Sequence, residues 1–182
     1  MNLLLGFVPF ILFAVVARLS DDLALWIAFA AAFALGMRSF LETRVLKTLD
    51  AGSTALFGLL ALYKGFLQPA LSSGVVSLTV HAGLLAVMLA SLILHEPFTL
   101  QYSREQVSPE NWQTPEFRRA NYLLTGVWVA TLALMASADG VAIWTTEISV
   151  TTAAAAGLVG LAGALIFTLR YPVTARRDGA PD

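Results

Sequence analysis

The chain has 182 residues, of which 58% are hydrophobic and 13% charged, with a mean hydropathy of +0.75. Soluble domains carry about 45–50% apolar and about 25% charged residues, so a water-soluble fold is excluded, and so is disorder, which needs low hydrophobicity and high net charge. A formal net charge of −1 leaves no basic face for nucleic acid, and the absence of cysteine removes disulfides, thiolate metal sites and a cysteine nucleophile. The composition predicts an all-α polytopic membrane protein whose main partner is the lipid bilayer.

A spanning helix needs about 20 mostly apolar residues. Six segments approach that length: Leu3–Ala17, Leu23–Met37, Ala51–Leu67, Val75–Leu94, Asn121–Ala138 and Ile148–Leu169. The first has Pro9 in its middle and no preceding Lys or Arg, which reads as a retained helix rather than a cleaved leader. The second is rich in Ala from Ala28 to Ala34 and is followed by Arg38, Arg44 and Lys47. Asp50 opens the third, where capping of the helix start accounts for it, and Lys64 lies near its far end. His81 sits about two turns into the fourth, and Pro97 is expected to stop that helix.

The connection at 95–120 carries two helix starts, Ser108-Pro109-Glu110 and Thr114-Pro115-Glu116, each a hydroxyl followed by proline and an acid. The second is expected to open the fifth helix. Phe98, Leu100, Val107, Trp112 and Phe117 give this connection enough apolar surface to lie on the membrane. The sixth segment repeats small residues four apart at Ala153/Gly157, Ala156/Gly160 and Gly160/Ala164. Such a stripe lets backbones approach closely in lipid. It suits packing within the bundle, against the Ala-rich second span, or a homodimer seam.

The charges set a topology. Nine of the eleven Lys and Arg residues fall on one side of the six spans, leaving only Arg18 and Lys64 near the other. The positive-inside rule then places both termini and the 95–120 connection in the cytoplasm.

Sequence motifs for chemistry are sparse. No HExxH, GxSxG or phosphate-cradling Gly-rich loop followed by Lys is present, so no catalytic, cofactor-binding or metal-ligating residues are expected. His81 and His95 are fourteen residues apart and would share one helix face, but haem ligation by two imidazoles needs a second His for each iron. The contact surface is expected at Arg104, Trp112, Arg118 and Arg119 in the cytoplasmic connection. Lys64 and His81 are the residues expected at a polar cavity, with Lys64 snorkelling or paired to Asp21, Asp22 or Asp139. A proton relay through His81 would need a carboxylate at its own depth, and none is expected fully inside a span.

The opening Gly6-Phe7-Val8-Pro9-Phe10-Ile11-Leu12-Phe13, the basic connection after span two, the turn His95-Glu96-Pro97-Phe98, and the late Trp112 before a helix bearing Asn121 and Trp128 form a pattern. This pattern resembles the intracellular septation protein A family of bacterial inner-membrane proteins. The resemblance implies a non-enzymatic role in cell-envelope maintenance or septation through contacts with other membrane proteins, and it supplies no catalytic residues. The alternative from the residues themselves is a small transporter or channel.

Overall fold

The structure is a computed structural model that describes residues 5–145 and 150–171. Helices α1 (Val8–Val16), α2 (Asp21–Thr43), α3 (Thr48–Leu62), α4 (Ser73–Ile93), α5 (Phe98–Ser103), α6 (Pro115–Trp144) and α7 (Val150–Arg170) follow in order, with no strand among the described residues. A π-helical turn, Tyr63–Leu67, continues α3, and a single 3₁₀ turn, Pro109–Asn111, precedes α6. Three helices, α2, α4 and α6, are long and apolar enough to cross a membrane.

Local chemistry explains several boundaries that apolar runs alone misplace. Pro9 stands in the first turn of α1, where a missing N–H costs nothing, so the first expected span is divided near Phe7. The described helix after it has nine residues, about 14 Å of rise, roughly half a hydrocarbon core. Ser20 caps α2 by accepting from the Leu23 N–H at 3.4 Å, with Asp21 and Asp22 on the positive end of the dipole. α2 then runs beyond Met37 through the Arg38–Glu42 pair, 2.7 Å apart, to a left-handed residue at Arg44. α4 ends at Ile93, so His95, with a φ of 58°, lies outside the helix and shares no face with His81.

Consecutive long helices run antiparallel. Gly36 of α2 lies against Asp50 of α3, and Gly52 and Gly83 bring α3 and α4 together. A Cβ on Gly52 would stand 2.6 Å from the Val87 methyls, and one on Gly83 2.4 Å from Leu56 Cδ1. Glycine therefore sets the distance between these helices. α4 also packs along α6, and α6 along α7, where Trp128 donates to Thr168 Oγ1 at 3.0 Å.

Within the described part of the small-residue stripe of α7, Gly157 faces Met135, Gly160 faces Thr131 and Ala164 is buried, while Ala153 and Ala156 lie outside the described side chains. α2 packs instead on α1 and α3. The expected pairing of the two small-residue helices is thus replaced by separate partners.

The core is aromatic where α1 enters it. Phe7 stacks on Trp128 at 4.0 Å and meets Phe98 of α5 edge-on at 6.1 Å, while Phe10 and Phe13 both pack on Phe57. The α2–α3 connection and α5 mark one end of the bundle, the loop end. Residues 17–20 and 68–72 mark the other, the turn end.

Candidate functional site

At the turn end, a cavity of about 340 Å3 opens between α1, α4, α6 and α7. That volume lies within the range of about 300–1,000 Å3 typical of small-molecule sites. Its walls are apolar, with Phe10, Phe13, Leu84, Leu132, Met135 and Leu161 among them. Its polar groups are few and converge at the turn end: Arg18, Asp21, Ser73, Ser77, His81 and Asp139.

The central pair is His81 Nδ1 and Asp139 Oδ2, 2.6 Å apart, with side chains 22% and 12% exposed. This overturns the expectation that His81 lacks a carboxylate at its own depth. α6 continues six residues past Ala138 to Trp144, so Asp139 is a helical residue facing α4 and not part of a connection. The signal lay in the sequence. Nothing between Ala138 and Trp144 stops a helix except the tolerated Gly140, and the apolar residues resume at Val141.

At the rim, Ser73 Oγ donates to Asp21 Oδ2 at 2.6 Å, joining the starts of α2 and α4. Ser77 lies one turn before His81 on α4 and makes no hydrogen bond to the imidazole. The relay from carboxylate to ring to hydroxyl that activates a serine is therefore not formed here.

Lys64 is not at this cavity. It sits in the π turn, 5% exposed, and its ammonium donates to the carbonyls of Leu71 at 3.1 Å and Pro69 at 3.4 Å. Asp22 is 3.9 Å away. Of the expected partners Lys64 meets Asp22, while Asp139 is taken by His81. The charge is held against the turn that follows α3 instead of snorkelling freely.

The loop end holds a second polar assembly, which the sequence reading did not anticipate. Asp50 does not simply cap α3. Its carboxylate accepts from the Tyr102 hydroxyl at 2.6 Å, and both groups are buried. Burial, reinforced by the neighbouring Asp50 charge, pushes the Tyr102 phenol far above its ordinary range. Lys47, 3% exposed, pairs with Glu105 at 2.5 Å and lies 4.4 Å over the Tyr102 ring. The Gln101 side chain closes on Thr48, accepting from its N–H and donating to its hydroxyl.

Deeper, the Thr99 hydroxyl bonds to Thr125 and to the Asn121 carbonyl, each at 2.9 Å, and Ser103 donates to Asn121 Oδ1 at 2.8 Å. Phe98 N–H donates to Ser91 Oγ. These bonds draw α5 into the bundle. Phe98, Leu100 and Phe117 are accordingly buried in protein, and not spread on lipid as their spacing suggested. A polar residue at every second or third position after Pro97, facing Asn121 and Thr125 in an apolar run, was the available signal.

The expected contact residues divide. Arg104 forms a two-point pair with Glu96, at 3.1 and 3.2 Å, and stands 5.7 Å over the Trp112 ring. Trp112 in turn donates to the Val107 carbonyl at 2.9 Å. These two residues are brought together and brace the connection internally. Arg118 is half-buried and Arg119 exposed, both in the first turns of α6.

No family model, no curated protein and no solved structure matches this chain.

Proposed function

We propose that the chain is a multi-pass protein of a bacterial inner membrane with six spans and both termini cytoplasmic, and that its turn-end cavity takes up an amphipathic small molecule, as a small transporter or carrier does. The observation carrying this reading is the cavity of about 340 Å3 with apolar walls and the His81–Asp139 pair at its polar end. Ionisable groups among membrane helices are costly and mark substrate or ion pathways by default. The alternating helix directions and the gathering of Lys and Arg at the loop end support the topology.

A neutral photoreactive alkyl alcohol, irradiated with the full chain in nanodiscs, tests the site. Labels are expected on Phe10, Leu84, Leu132 and Leu161, and Ala14→Trp, which fills the cavity, should remove them. Labels confined to exposed outward residues such as Leu59 and Leu134 would sink the reading. The cysteine-free chain also allows a clean topology test. Val45→Cys and Glu110→Cys should react only from the cytoplasmic side, and Leu19→Cys and Gln68→Cys only from the other.

A second reading, envelope maintenance or septation through contacts with other membrane proteins, rests on the family resemblance and on the exposed Arg119 beside Arg118. Charge reversal at both arginines should then weaken partner recovery from native membranes. Unchanged recovery from a stably inserted variant would remove this reading.

A further inference from the structure

We infer that the ligand of the turn-end cavity is a lipophilic cation, an amine or onium centre carried on a bulky apolar body. This rests on the uptake reading above and adds the sign of the charge.

The hydrogen bonds supply the first argument. A carboxylate only accepts, so the 2.6 Å contact with Asp139 Oδ2 puts a proton on His81 Nδ1. In the neutral ring the other nitrogen, Nε2, then carries a lone pair and also accepts. At the rim the Ser73 hydroxyl proton is already committed to Asp21. Around the buried pair an incoming group therefore meets acceptors, the second oxygen of Asp139 and the ring nitrogen, while the donors Arg18 and Ser77 and the second oxygen of Asp21 complete the polar lining.

Charge gives the second argument. Among the described lining residues there is one fixed cation, Arg18, against two carboxylates, Asp21 and Asp139. Arg18 is exposed at the rim, whereas the Asp139 side chain is 12% exposed. With a neutral imidazole the lining is net negative, and with an imidazolium it is balanced. In neither state is it net positive, and the one fixed cation, Arg18, stands at the exposed rim, so an anionic head seated beside the buried pair would face the Asp139 carboxylate.

The walls point the same way. Phe10 and Phe13 of α1 line the cavity, and aromatic rings attract cations that have been stripped of water.

The test compares two ions of nearly equal size and shape and opposite charge, tetraphenylphosphonium and tetraphenylborate. Equilibrium binding of each to the full chain in nanodiscs of net-neutral lipid is measured and corrected by empty nanodiscs. Tetraphenylphosphonium is expected to bind at least tenfold more tightly than tetraphenylborate. Asp139→Asn should lower that affinity at least tenfold, and Asp139→Glu should restore part of it. The wild-type comparison needs no variant, so a variant that fails to insert leaves the result decisive. Preference for tetraphenylborate, or no binding of either ion while the neutral alcohol still labels the cavity, overturns the cationic assignment and leaves the uptake reading standing. If neither ion binds and the alcohol also fails to label, the cavity reading falls with it.

Discussion

The two ends of this bundle treat polar side chains in opposite ways. At the loop end, Lys47, Asp50, Thr99, Tyr102, Asn121 and Thr125 are all buried, and each is bonded to another group of the chain. The cavity left beside them is about 50 Å3, room for one or two waters. At the turn end, His81 and Asp139 satisfy one another but face an opening nearly seven times larger. A closed network fixes the helices that contribute to it, because every unpaired member would be costly in a low-dielectric surrounding. An open pair can exchange partners with whatever enters. The contrast separates the part of the molecule that holds the fold from the part to which the uptake reading assigns binding.

That separation can be broken experimentally, beginning where the effect is greatest. Lys47→Met removes one partner of a buried ion pair and should cost about 3 kcal/mol, read as a lowered unfolding transition in mild detergent. Thr99→Val leaves the Thr125 hydroxyl buried without its partner and should cost about 2 kcal/mol in the same assay. His81→Leu deletes a shorter bond at the other end, yet should cost less than about 1 kcal/mol, since the Asp139 carboxylate can be hydrated from the cavity. If His81→Leu proved as damaging as Thr99→Val, the turn end would be as closed as the loop end and the contrast would vanish.

The smallest effect is spectroscopic. The chain has four tyrosines, and Tyr102 should be the last to ionise in an absorbance titration at high pH, a step that Tyr102→Phe abolishes. The sign follows from linkage. Tyr102 is an acid whose folded-state affinity for its proton is raised, so its contribution is complete below the ordinary tyrosine value of about 10 and declines as pH rises above it. The wild type should lose stability with rising pH in that range more steeply than the phenylalanine variant.

Much of the architecture is legible in apolar run lengths. The helical class and Pro115 opening α6 follow from composition and proline chemistry, whereas α4 ends at Ile93, ahead of the left-handed His95, and Pro97 precedes the start of α5 instead of closing α4. Trp128, well inside the fifth expected span, is buried against Phe7. The errors share a cause. Hydropathy ends a helix where polarity begins, whereas the backbone continues until its hydrogen bonds are interrupted. α2 therefore runs on to Thr43, and α6 extends to Trp144 and carries Asp139 with it.

The cavity needed both corrections that hydropathy could not supply: the extra turn of α6, and the diversion of Lys64 to the Pro69 and Leu71 carbonyls. The loop-end network was illegible for a different reason. Thr48 and Gln101, like Asp50 and Tyr102, are more than fifty residues apart, and no local period records such a match.

The seating of α5 also has a consequence for biosynthesis. Phe98–Ser103 leaves the ribosome before α6, yet the partners of Thr99 and Ser103 are Asn121 and Thr125, which emerge about twenty residues later. Until then the hydroxyls of Thr99 and Ser103 lack their final partners, although Gln101 and Tyr102 can already meet Thr48 and Asp50. The seating of α5 is therefore completed in two stages, first against α3 and then against α6, and truncation before Asn121 should leave the second stage unmade.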